Sequence, residues 1–173
     1  MKYLIHVEKI WNDAVWQNLL EFIRKQKKNC HLFLMAPQYE YQKAVLGYRG
    51  TKQELERVLK QRYKRLKVLK TEYNFKVGIH IHFCLWPEEL VKEEKKRIFD
   101  KYQKWISGFF DIKSIAFGWF KLDGYLIYLC LNKSLEIKHY DFFAVNLHDY
   151  DLPISKLKIM ENFLKDNLRI LLR

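Results

Sequence analysis

His80, His82 and Cys84 occupy alternate positions of the apolar run KVGIHIHFCLWP (76–87). Side chains two residues apart in an extended strand share a face, so two imidazoles and a thiol would line one wall of a site. His6 and Glu8 repeat the spacing in LIHVE (4–8), and His148 with Asp149 closes FFAVNLHD (142–149). Imidazole, carboxylate and thiolate together suit a divalent metal, Zn²⁺ first, and three protein ligands plus a water make a catalytic arrangement. Each group also has a plainer reading. A histidine in an apolar strand can be a hydrogen-bonded interior residue, a free cysteine packs as a small hydrophobe, and His148-Asp149 can cap a following helix. The argument for a site is the coincidence of these groups on separate strand ends.

Strands must place them there. KYLIHVE (2–8), HLFLMAP (31–37), KVGIHIHFCL (76–85), SIAFGWF (114–120) and FFAVNLH (142–148) read as short apolar runs. Helical spacing follows each of the first four. Trp11, Val15, Leu19 and Ile23 mark the first helix, and Leu55, Leu59, Tyr63, Leu66 and Leu69 a strongly basic one over 52–72. Val91, Ile98, Phe99, Tyr102 and Trp105 outline a third after Pro87, residues 123–132 form a fourth, and Leu157 to Leu171 the last. Apolar strands alternating with amphipathic helices predict an α/β fold with a parallel sheet, in one domain over 1–173. Its sites belong at the carboxyl ends of the strands. The uneven stretch QYEYQKAVLGYRG (38–50) reads as a long loop.

Of 173 residues, 49% are apolar, enough for a sizeable core. Lys and Arg outnumber Asp and Glu by 32 to 20, a net charge of +12 that can attract phosphates or anionic polysaccharide. No nucleic-acid-binding signature accompanies the charge. Three scattered cysteines exclude a disulfide framework and suit a reducing compartment. MKYLIHVEKIW has neither the length nor the apolarity of a signal peptide or membrane span, so the chain reads as soluble and cytoplasmic. The six glycines form neither a phosphate loop nor a dinucleotide fingerprint.

Three segments resemble the polysaccharide deacetylases of the NodB-homology type, that is, carbohydrate esterase family 4. KVGIHIHFCLWPEEL is similar to that family's third-strand segment, where a Gly-x-His run supplies one metal-binding histidine and a second follows four positions on. SIAFGWFKLDGYLIYLCLNKSLEIKHYDF resembles its aromatic-Gly-aromatic turn, and AVNLHDYDLP its late Leu-His-Asp strand. The resemblance implies an irregular (β/α) barrel of seven or fewer parallel strands with outer helices. By position, His80 matches the first metal histidine. Cys84 stands in place of the second, with His82 between them as an alternative. LIHVEKIW offers His6 and Glu8 where the family carries an acidic pair, Glu8 as carboxylate ligand or base and His6 as base or ligand. His148 matches the histidine that protonates the leaving amine. Trp86, Trp119, Tyr39 and Tyr41 are candidates for stacking on sugar rings, with Arg49 a further substrate contact.

The expectation is a divergent metal-dependent hydrolase acting on the C–N bond of an N-acetylated sugar or related amide, with carbohydrate or a small amide as its partner. A catalytically inactive family member that binds carbohydrate or another partner is the alternative, because the acidic pair is missing. A metal-dependent phosphoesterase is a third reading, suited to the basic charge, although His-x-His usually lies on the first strand in that class.

Overall fold

The computed structural model describes residues 2–83, 89–118, 122–138 and 144–152. Strands β1 (Lys2–Val7), β2 (Cys30–Met35), β3 (Lys76–Ile81), β4 (Ser114–Phe117), β5 (Glu136–Ile137) and β6 (Ala144–His148) form one sheet. Its order is β5-β4-β3-β2-β1-β6, and every pairing is parallel. Helices α1 (Asp13–Gln26), α2 (Tyr39–Ala44), α3 (Lys52–Tyr73), α4 (Lys92–Ser107) and α5 (Gly124–Asn132) lie between strands. Among the described residues no helix is long and apolar enough to cross a membrane.

Local signals start these helices. Asn12 and Asp123 accept hydrogen bonds from Val15 N and Leu126 N, capping α1 and α5. Thr51 and Glu54 form a reciprocal capping box at the head of α3, and Asn74 ends that helix at φ 52°.

Period-two alternation divides the sheet into two faces. Tyr3, Ile5, Val7, Leu32, Leu34, Val77, Ile79, Ile81, Ile115 and Phe117 join one buried cluster with Leu19 and Ile23 of α1, Leu59 and Leu66 of α3, Phe99 of α4 and Leu126 of α5. Full burial of each such side chain contributes about 1.5–3 kcal/mol. The opposite face has its own small apolar cluster, Leu4, Phe33 and Ala116, at mid-strand. Gly78 lies beside it, and a Cβ there would stand 2.6 Å from Ser114 Oγ and 2.7 Å from the Phe33 ring. The missing side chain is what lets Phe33 lie across this face.

Two elements differ from the sequence reading. The 38–50 stretch is not all loop: Tyr39–Ala44 is a helix, with Tyr41 buried against Met35 and Leu46. Glu136–Ile137 adds a two-residue strand beside β4. β3 also ends at Ile81, because the next backbone N–H, of His82, donates to Gln38 Oε1 rather than to a neighbouring strand. Cys84, Trp86, Trp119 and the helix expected over 157–171 lie outside the described residues.

Candidate metal centre

At the carboxyl end of the Phe33 face, β1, β3 and β6 deliver their polar residues to one place. His6 pairs in register with His148, and His80 with Met35. Glu8 follows β1 and His82 follows β3. Glu8 Oε1 lies 2.8 Å from His80 Nε2 and 2.9 Å from His82 Nε2, and the two ring nitrogens are 2.9 Å apart. The His6 ring stands 4.4 Å from that of His80 and 5.4 Å from that of His148. His148 Nε2 lies 3.8 Å from Glu8 Oε1. The structure thus brings together His6, Glu8, His80, His82 and His148. Of the other described candidates, Tyr39 donates its hydroxyl to Gly50 O, and Arg49 is exposed on the same connection.

Hydrogen-bond chemistry tests whether this group suits a cation. His80 Nδ1 lies 3.1 Å from the Ala116 carbonyl oxygen, which can only accept, so Nδ1 carries a proton. In neutral His80 the lone pair then sits on Nε2 and faces both the Glu8 carboxylate and His82 Nε2. A proton on His82 Nε2 shared with its two neighbours, or a metal ion at the centre, satisfies such a triangle. A histidine whose remote N–H is held by a backbone carbonyl is also the usual form of a metal ligand. His6, Glu8 and His80 each offer one ligand atom, all within 4.8 Å of one another. The donor set fits a divalent metal.

Electrostatics prepare the same state. Burial works to raise the Glu8 pKa, but hydrogen bonds from His80 and His82 outweigh it and hold the carboxyl well below the usual carboxylate range. Burial, followed by the charges of His80 and His148, pushes His6 far below its ordinary value, so its ring is neutral. Burial also lowers His82, against the pull of Glu8. Asp149 is fully buried, which raises its pKa to about 8, although the Lys9 N–H donates to its Oδ2 at 2.8 Å. That bond ties the end of β1 to the end of β6.

Three supports escaped the sequence reading, which treated their segment as loop or as sugar contact. The Tyr41 ring stacks on His82 at 4.1 Å, and its hydroxyl donates to Glu8 Oε2 at 3.4 Å. Gln42 donates to Glu8 O, and its Oε1 accepts from Gln38 N. Gln38 in turn donates to His80 O. Gln38, at the N-cap of the six-residue helix, and Gln42, four positions on within it, were the available signal. Gly118, noted only within a turn, is the fourth support: a Cβ there would meet the His82 ring at 1.9 Å.

No protein-family model and no curated protein sequence matches the chain. Solved structures do. A carbohydrate esterase family 4 pseudoenzyme from Bacillus anthracis matches with a TM-score of 0.63 and 14% identity, over 96% of this chain and 61% of its own. A mutant of that pseudoenzyme with restored enzymatic activity gives the same TM-score at 13% identity, over 96% and 63%. A family 4 carbohydrate esterase from Streptomyces lividans, in complex with acetate, gives 0.57 at 13% identity, over 86% and 78%. The chain therefore spans about three fifths of the pseudoenzyme's length. It has the carbohydrate esterase family 4 fold, the one that its strand-end motifs resemble.

Proposed function

We propose that this chain, on its carbohydrate esterase family 4 fold, is a metal-dependent hydrolase of the polysaccharide deacetylase type, cleaving the C–N bond of an N-acetylated sugar or a related amide. The observation that carries the reading is the Glu8–His80–His82 triangle, three atoms of metal-ligating type within 2.9 Å of one another at the carboxyl ends of the strands. His6, Glu8 and His80 hold the metal, with His82 as a further ligand position. A bound divalent ion, zinc by donor chemistry, supplies Lewis acidity toward an amide carbonyl and toward water.

The chain's own residues do the rest. Glu8, anionic and 1% exposed, provides the negative charge that retains the ion, and the buried neutral ring of His6 adds a donor without adding charge. His148 is the member that reaches solvent, with its side chain 40% exposed and its ring stacked on Tyr150 at 4.9 Å. It stands between the buried donors and an incoming substrate, where it delivers a proton to the departing nitrogen. Tyr41, Gln42 and Gln38 lock the donors in place and so limit their reorganisation during the reaction.

The similarity to a pseudoenzyme, together with the missing acidic pair, supports a second reading in which the metal is bound without turnover. Metal analysis of untagged protein and acetate release from chitooligosaccharides test both. The hydrolase reading expects stoichiometric metal, acetate release, loss of metal in His80→Ala, and retained metal with lost activity in His148→Ala. Bound metal without acetate release from the wild type selects the second reading. No bound metal and no thermal stabilisation by added Zn²⁺ would overturn both.

A further inference from the structure

The opposite end of the Phe33 face holds a cavity of about 630 Å³ that has no part in the chemistry above. Leu4, His31 and Ser114 contribute to its lining, with His31 Nε2 hydrogen-bonded to Ser114 Oγ at 2.8 Å. Six lysines also line it: Lys2, Lys28, Lys70, Lys76, Lys113 and Lys138. They come from six separate segments, so their convergence is not the polar stripe of a single helix. Two carboxylates share the cavity, and both are already engaged, Asp111 with Lys113 at 3.5 Å and Glu136 with Lys138. The other four lysines make no ion pair among the described residues.

Helix dipoles explain part of this charge. Lys28 and Lys70 lie near the carboxyl ends of α1 and α3, where a cation is stabilising. Lys2 and Lys76 open strands and have no such partner, although bringing like charges together is unfavourable. His31 responds to the field: burial, then Lys76 and Lys138, push its pKa down to about 4.

We propose that this cavity binds a small ligand bearing a di- or triphosphate group. Its volume is that of a small-molecule site rather than a polymer groove. Four ammonium groups that make no ion pair among the described residues call for several negative charges at once, and lysines meet phosphate oxygens as point charges. Leu4, whose side chain belongs to this face, gives an organic ester an apolar contact.

Calorimetric titration with inorganic tripolyphosphate and with ATP, at about 0.15 M salt where the Debye length is near 8 Å, tests the site. One equivalent should bind, at least tenfold more weakly in Lys2→Gln/Lys76→Gln, and unchanged in Lys60→Gln/Lys64→Gln on the exposed face of α3. His31 ring resonances should move on binding, and both double variants should melt with the wild type. Binding must persist in His80→Ala, which separates this site from the metal centre whatever becomes of the hydrolase reading. Tighter binding of ATP identifies an organic ester as the ligand, and equal binding identifies the phosphate chain alone. Absence of saturable binding, equal weakening in the two double variants, loss in His80→Ala, or citrate binding as tightly as tripolyphosphate would each overturn the proposal.

Discussion

The two ends of the Phe33 face are built on the same strands with opposite chemistry. At the carboxyl end, the polar atoms are buried, bonded to one another and backed by Tyr41, Gln38 and Gln42. At the amino end, lysines surround a hollow, and four of the six make no ion pair among the described residues. The first end fixes the positions of lone pairs before any ion arrives, which suits a ligand with strict coordination demands. The second sets a field and leaves its side chains free to adjust, which suits a ligand defined by charge. Leu4, Phe33 and Ala116 separate them, with the Phe33 ring in contact with both sides: it stacks on His31 at 4.3 Å and lies 5.8 Å from His6.

Removing the divider should have the largest effect. Phe33→Ala leaves a cavity that costs about 3–5 kcal/mol in denaturant unfolding, and both ends should change their binding together. A loss well under 1 kcal/mol would mean that the ends are not separated by this ring. Glu8→Gln keeps the shape of the carboxyl end and removes its charge. The stabilisation by Zn²⁺, about 4 kcal/mol at a thousandfold excess over Kd, should vanish from thermal melts while tripolyphosphate binding is unaffected. Gly118→Ala forces the His82 ring aside and should weaken metal binding by about 10–100-fold in competition with a chelator; unchanged affinity would remove His82 from the centre.

A graded effect belongs to the amino end. His31 is neutral in the folded chain down to about pH 4, whereas in the unfolded chain it takes up a proton near its ordinary 6.5. Between these values the unfolded state binds more protons, so stability falls as pH falls, by at most about 1.4 kcal/mol per pH unit. Urea titrations across that window should show a shallower slope for His31→Gln than for the wild type. Identical slopes would mean that neither burial nor the nearby lysines lower the ring's affinity for a proton.

The strands and long helices were legible because burial writes a period into them. KYLIHV and HLFLM are apolar on both faces, as strands covered on both sides must be, and α3 repeats its leucines at helical spacing. α2 was not legible, since six residues cover less than two turns and YEYQKA has no apolar stripe. β5 is too short to show alternation. At the site, His6, Glu8, His80 and His148 could be placed by strand-end position alone. The roles of Gln38 and Gln42 could not, because a polar side chain that bonds to backbone leaves no periodic trace. Nor could the need for glycine at 118, which is set by His82 approaching from another strand.

Gly78 carries a consequence for how the two ends can diverge. Phe33 occupies the space that a methyl group at position 78 would claim, so its ring angle is adjustable through a single carbon on the neighbouring strand. An alanine there would press on the ring and on Ser114 Oγ, the partner of His31, and so shift room between the compartments while leaving the metal-ligating groups and the lysines in place. The apportionment of volume along this face is thus set by a residue with no side chain.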